Sequence, residues 1–473
     1  MLTSPKRKSR LIVAVTIVGL ALGAAAWGAE PTDPKTFYKD VLPLAQKHCQ
    51  VCHRPGQIGP FSLLDYQTAR PWAEAIKNAV STRRMPPWFA NPQYMHFSND
   101  RSLSQAEIDT IVAWVDGGAV AGDPKDAPPP VPWPAGGWTV QPDVTVDLPP
   151  YPVPATGVIE WQTILIPAPF KEDTWVTSVQ VLPGAPAVVH HMCFEFQKHN
   201  PALPYNVYEW MEVPRDDDGV ALAHHASMAP SARGIEGWVL RRPVGSTEVT
   251  RFKGRQTIRG NSQFCYLPGL TLEDSRPVNA GVLVPAGSDI AMGLHYTTTG
   301  VAAVDRTKIG FTTTKTPPAR KVISLGDEDE ISSRIQDNSK LAIPPYEANY
   351  LGPPADITFK KDTELVWFRP HAHVRGKSVR YTLIYPDGRE EVVLDVPRYD
   401  SNWQLTYHTS LLIPKGARMH VQFMYDNSPA NRNNPDASKW VYYGGQSWDE
   451  MGTPNMGFLV DRNTKREDII DER

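Results

Sequence analysis

A chain of 473 residues is long enough for about three domains of ordinary size, and its near-balanced charge of −3 gives no basic excess of the kind nucleic-acid binding needs. The one basic cluster, Lys6, Arg7, Lys8 and Arg10, lies at the very start. With 46 prolines and 33 glycines, the composition favours short strands and turns over long helices.

Residues 1–29 carry the three parts of an export signal: that basic region, an apolar run over 11–22, and the small residues Ala24-Ala25-Ala26 for cleavage. The run is short for a membrane span, which needs about 20 residues. No later segment is apolar enough to cross a bilayer. The expectation is therefore a periplasmic or secreted protein with no membrane span in the mature chain. Of the four cysteines, Cys193 and Cys265 either bridge in that oxidising setting or remain buried thiols.

Cys49-Gln50-Val51-Cys52-His53 reads as a covalent haem anchor. Its two thiols can form thioethers to the porphyrin vinyls and its imidazole can ligate the iron, giving haem c. A zinc half-site is the alternative, but no second CxxC exists to complete one. Helical patterns surround the motif. Asp33-Pro34 opens a helix toward Cys49, bent at Pro43. A second runs through Trp72, Ile76 and Val80. A third opens on the capping box Ser104-Gln105-Ala106-Glu107, sets Ile108, Ile111, Val112 and Val115 on one face, and stops at Gly117-Gly118. Residues 31–122 thus resemble a class I cytochrome c, a small all-α domain. That resemblance asks for a sixth iron ligand on a proline-bearing loop. Met85, in Met85-Pro86-Pro87-Trp88, stands at that place, with Met95 and His96 as rivals.

Residues 123–137 are dominated by proline, the composition of a semi-rigid linker. Beyond them helical periodicity gives way to strands. Residues 379–384 and 391–396 flank Tyr385-Pro386-Asp387-Gly388, a hairpin signal, and similar units recur, favouring β-sandwiches. Val284-Pro285-Ala286-Gly287 is echoed by Ile413-Pro414-Lys415-Gly416, and the same interval then leads to His295-Tyr296 and to Met424-Tyr425. The echo suggests two copies of one sandwich plan, meeting near residues 315–325.

The histidines are unevenly placed: His190-His191, His224-His225, His295, and His371-Ala372-His373. On a strand, residues i and i+2 face one side, so His371 and His373 can converge on one ion. Neighbours on a regular strand point oppositely, so His190 and His191 can share a metal only at a bend, bulge or strand end.

The order of these groups, a pair, a single His before Tyr, an HxH and a late Asp449-Glu450-Met451, resembles the copper type II, ascorbate-dependent monooxygenases, which include peptidylglycine α-hydroxylating monooxygenase and dopamine β-hydroxylase. The resemblance implies two all-β jelly-roll sandwiches, at 138–318 and 319–465, each holding one copper ion. Carried over, His190, His191 and His295 form an electron-relaying site. His371, His373 and Met451 form the site that hydroxylates a C–H bond with O2. Met456 and Met424 are alternative thioethers, and His224-His225 and Cys193 could compete for metal. Imidazole with thioether suits copper on chemical grounds as well. The expected protein is an α-then-β multidomain monooxygenase-like enzyme with haem c and two coppers. It would take a small-molecule or peptide substrate, with electrons from ascorbate or a redox protein passing through the haem. The rival readings are a multicentre electron-transfer protein without hydroxylation, and a haem-tethered binding module without copper.

Overall fold

From residue 144 onward the chain is a succession of strands rich in β-branched and aromatic residues, broken at Pro, Gly and Asp turns. The computed structural model describes residues 33–201, 203–212, 238–247, 250–253, 263–325 and 340–471. The expected export signal and His224-His225 lie outside these.

The first sandwich comprises β1 (Val144–Asp147), β2 (Gln162–Pro167), β3 (Thr174–Leu182), β4 (Val189–Lys198), β5 (Phe264–Tyr266), β6 (Leu272–Asp274), β7 (Val282–Val284), β8 (Ser288–Tyr296) and β9 (Lys308–Thr314). Its outer sheet runs β1-β9-β3-β6, with β7 also pairing β3, and its medial sheet includes β2-β8-β4-β5. Val176, Val179, Phe311, Met192, Phe194, Ile290 and Met292 fill the space between the two. The second sandwich comprises β10 (Arg320–Leu325), β11 (Ala355–Thr358), β12 (Thr363–Ala372), β13 (Gly376–Ile384), β14 (Glu390–Val396), β15 (Tyr407–Ile413), β16 (Arg418–Tyr425) and β17 (Gly452–Asp461). Here the medial sheet is β10-β17-β12-β15 and the outer sheet holds β16-β13-β14, with β11 on β16. Phe368, Tyr381, Phe423, Met456 and Phe458 lie in its core.

The two strand orders are copies. β1-β9-β3-β7 matches β10-β17-β12-β15, and β2-β8-β4-β5 matches β11-β16-β13-β14. The echoed turns are built alike: Ala286 N donates to Asp173 Oδ1 (2.9 Å) and Lys415 N to Asp362 Oδ1 (2.8 Å). In each case the carboxylate just before one strand anchors the turn after its neighbour.

The expectation of an all-α cytochrome c domain is overturned. The chain is mostly β-sheet, and the helices before residue 123 are short: α1 (Leu42–His48), α2 (Ala73–Ser81) and α3 (Gln105–Asp116), besides a single turn at Tyr66–Ala69. The capping box of α3 is formed, with both Ser104 and Glu107 engaged. The stretch between α2 and α3, however, carries no regular helix, and its aromatic residues pack elsewhere. Phe89, Ala90 and Phe97 are buried in the core of the second sandwich, with Trp88 and Met95 against it. Asn91 N donates to Asp395 O (2.8 Å) and Ser98 N to His408 O (2.9 Å), stitching this stretch to β14 and β15. The first helical segment begins at Phe37 and not at Pro34, and local pattern, which placed the other two, could not reveal that the residues between them belong to a β core. Lys35–Arg473 forms one compact unit. The proline-rich linker is also tied down: Gln46 donates to Pro129 O (3.0 Å), and the Arg54 guanidinium sits 4.1 Å over the Trp133 ring. Among the described residues, no helix is long and apolar enough to cross a membrane.

Phe97 therefore belongs energetically to the second sandwich. Phe97→Ala should lower the unfolding free energy of that sandwich by about 3 kcal/mol or more. Urea unfolding followed by hydrogen exchange in β12 and β15 measures it; unchanged protection there would contradict the packing.

Candidate metal centre

The medial sheets press their second faces together, and the histidines lie on those faces. On β4 the core side chains are Val189, Met192, Phe194 and Phe196, while on β8 they are Ile290, Met292, Leu294 and Tyr296. His191 and His295 are Cα partners on the opposite face of this sheet. The register then shifts, so that Tyr296 pairs with Val189 and His190 is left over. This bulge lets two consecutive imidazoles face one point.

The Nδ1 atoms of His190 and His191 lie 2.9 Å apart and those of His190 and His295 3.2 Å apart. Two nitrogens each about 2.0 Å from one ion are separated by roughly 2.8 to 3.5 Å, depending on the angle between them, so the set fits a single metal ion. Burial pushes the imidazoles toward the neutral, lone-pair form. His190 is lowered to about 4, by burial and by His371 despite a hydrogen bond with the Ser401 backbone. His295 falls to about 3, through burial and then its imidazole neighbours. His191, wholly enclosed, is driven well below its ordinary value by the same causes. Trp161 meets His191 edge-on at 5.4 Å and lies so close over Gly293 that a Cβ there would come within 2.5 Å of its ring. Only glycine leaves that space.

Across the interface, β12 turns Phe368 and Ala372 into its own core. His371, between them in the alternation, points out toward the first sandwich. Its Nδ1 is 2.8 Å from Gln404 Oε1, which leaves Nε2 as the free nitrogen, buried without a partner. His191 Nε2 is likewise buried and unpartnered. The rings of His191 and His371 are 6.2 Å apart, and those of His371 and His373 5.2 Å. His373 Nδ1 is 3.3 Å from Asp449 O. The two groups, each carried by its own sandwich, thus face each other across the interface.

The three candidate thioethers are sorted by strand direction. Met456 is buried in the second core opposite Phe368. On β16, Met419, Val421, Phe423 and Tyr425 enter that core, so Met424 projects from the outer sheet, away from the histidines. Met451 remains. Its Sδ is 3.9 Å from the hydroxyl of Thr453, the Cα partner of His371. Glu450 fixes its place: Oε1 accepts from both His373 N (2.5 Å) and Met451 N (3.0 Å), and Oε2 accepts from Arg375 N (2.9 Å). Burial raises this carboxyl to about 7 against those three amides and Arg375. Sequence reasoning missed Glu450 and Gln404 as positioning residues. Glu450 was visible only as part of Asp-Glu-Met, and Gln404 lies in an irregular loop with no pattern to mark it.

At the thiol motif, Cys49 and Cys52 are unbridged, whereas Cys193 and Cys265 form a disulfide across paired strands. His53 Nδ1 is 3.2 Å from Phe61 O, which leaves Nε2 as the nitrogen that could hold a metal. The neighbouring His48 is held by Glu107 (3.1 Å) and by Arg101 O (3.1 Å). Met85 is half-buried just after α2, its amide donating to Ala79 O (3.1 Å). Met95 is committed to the second sandwich, its sulfur accepting from the Thr409 hydroxyl (3.2 Å), and His96 is exposed.

No protein-family model matches the chain, and no curated protein does. Among solved structures, a cryo-EM structure of Broad Bean Stain Virus aligns at 5% identity and a TM-score of 0.21, covering 64% of this chain and 76% of that one. Structures of infectious bursal disease virus align at 8% (Gx strain, TM-score 0.17, 70% and 75% covered) and 9% (Gt strain, TM-score 0.16, 72% and 77% covered). Likenesses at this level assign neither fold nor function.

Two outcomes follow from the geometry. Glu450→Ala strands three buried amides and should destabilise the metal-free protein by about 3 kcal/mol or more in urea unfolding. Glu107 is pushed up by burial, but hydrogen bonds from Ser104, Lys47 and His48 outweigh this and hold it at about 2. Its folded-state value lies below the unfolded one, so it stabilises above about pH 4.5 and that contribution fades as the pH falls toward 2. Calorimetry of Glu107→Gln should show a flatter pH dependence across that window than the parent chain.

Proposed function

We propose that this chain is an exported haem- and copper-containing oxidoreductase that hydroxylates a C–H bond with O2, like the copper type II monooxygenases it resembles. The observation that carries the reading is the meeting of three Nδ1 atoms, from His190, His191 and His295, opposite His371 and His373. Bound copper would supply one-electron cycling between Cu(I) and Cu(II) and activation of dioxygen, and covalent haem a further one-electron store.

The residues divide the work. His190, His191 and His295 hold one copper through Nδ1. His371 and His373, each with Nδ1 engaged elsewhere, offer Nε2 to a second, with Met451 as the soft ligand. Glu450 keeps the last two in register, and Gln404 fixes the tautomer of His371. Cys49 and Cys52 would carry haem c through thioether bonds, and His53 and Met85 would hold its iron. Ascorbate or a redox protein is the external donor, and a small-molecule or peptide substrate enters the cleft between the sandwiches.

The chain itself supports a link between the thiol motif and the histidines. Gly269, at φ +84°, lies so close to Cys52 that a side chain there would come within 3.7 Å of Sγ, and Arg101 bonds its carbonyl at 2.6 Å. Four residues before Gly269 is Cys265, bridged to Cys193, which is two residues from His191 on the same strand.

Protein matured with haem and copper should contain one haem and two coppers per chain. His295→Ala should lose about one copper and keep its haem. Met451→Ala should lose sulfur scattering from its copper X-ray absorption spectrum together with substrate-dependent O2 uptake. Haem without copper in the parent protein would sink the reading.

A further inference from the structure

The cleft above the histidines has a volume of about 280 Å³ and takes its walls from both sandwiches. One wall is largely apolar, with Val158, Ile159 and Trp161 beside Thr297 and Thr298; the other offers Ser401, Asn402 and Ser447. Apart from the imidazoles, no charged side chain lines it among the described residues. The charged groups around it are engaged, all but Asp400 with residues outside the lining. Asp400 Oδ1 accepts from Asn402 N (3.0 Å) and Asn402 Nδ2 (2.9 Å). Glu160 pairs with Arg242 at 3.0 Å. Arg375 spends Nε on Asn427 (3.0 Å) and Nη1 on Trp448 O (2.9 Å), and Asp449 accepts from Gln446 N (3.2 Å).

From this lining we infer that the cleft selects a small uncharged substrate, an apolar body bearing a hydroxyl or amide group, and rejects carboxylates and ammonium ions of the same shape. The inference rests on the oxidoreductase reading, whose substrate class it names. An ion entering such a cleft sheds hydration and meets no side chain of opposite charge in the lining, a carboxylate finding only the soft copper ions, whereas a hydroxyl or amide can exchange its water for the polar wall. Val158 and its neighbours take the apolar end, and Ser401, Asn402 and Ser447 orient the polar one.

Three isosteric probes test it: 2-phenylethanol, phenylacetate and 2-phenylethylammonium. Binding is measured by titration calorimetry and saturation-transfer NMR on the full-length haem- and copper-loaded protein, reduced and anaerobic. Cu(I) is soft and gives the carboxylate no strong ligation of its own. The alcohol should bind at least tenfold more tightly than either ion. Ser447→Asp should raise ammonium affinity at least tenfold relative to the alcohol while copper content stays unchanged. Equal or tighter binding of either ion to the parent protein, or no binding of the alcohol, overturns the inference. Copper analysis of the same samples separates the two ideas. The predicted order in a protein that takes up no copper defeats the oxidoreductase reading alone, and the reverse order with both coppers present defeats only the substrate class.

Discussion

The packing of the two medial sheets is the constraint on which the rest depends. Each sheet already turns one face to its own core, so pressing the other faces together buries polar side chains on both sides. Arg369 of the second sandwich reaches Glu273 of the first at 2.9 Å and Thr406 at 2.9 Å. Trp161 N donates to Gln446 Oε1 at 2.8 Å, spanning the same boundary. Such an interface is costly wherever a buried polar atom goes unanswered. Arg369 Nη1, Trp161 Nε1, His191 Nε2 and His371 Nε2 are all buried without a hydrogen-bond partner. Four such atoms at one interface are hard to reconcile with stability alone and natural for a place that receives a ligand.

The duplication makes the arrangement more specific. The sandwiches share one strand order, yet they do not meet through equivalent sheets. The first contributes the sheet of β4 and β8, and the second that of β12 and β17. A symmetric pairing of the copies would bring equivalent strands together. Here a histidine pair on β4 meets an HxH at the end of β12, two different histidine sets on two different strands. The sulfur-bearing position is likewise not a copy: Met424 is the echo of His295, but the outer sheet carries it away from the cleft.

How much of this was legible follows from what alternation can and cannot encode. The HxH on one face, the need for a bulge at His190-His191 and the capping box at Ser104 are local, and local spacing carries them. The echoed Pro-x-Gly turns were readable for the same reason. The choice among Met424, Met451 and Met456 was not, because it depends on which face of which sheet meets the other sandwich. Gln404 and Glu450 act across 33 and 77 residues, on His371 and His373 respectively, with no periodic mark. The N-terminal error has the same origin. The loop through Trp88 reads as part of a small helical domain until Tyr407 and Phe368 are seen to cover Trp88 and Phe97.

That error also changes what the thiol motif is attached to. A detached module on a flexible tether would sample many orientations, and any link to the histidines would be paid for in entropy at each encounter. Here the helices are clamped from two sides. The stretch after α2 is built into the second core, while Arg101, beside the motif, grips the Gly269 carbonyl of the first sandwich. Because Cys265 and Cys193 are paired in register and bridged, movement of the Gly269 loop is restrained relative to the strand that carries His191. The geometry between motif and histidines is therefore a property of the fold, set before any ligand binds. Such preorganisation removes the ordering cost that a tethered module would meet at each encounter.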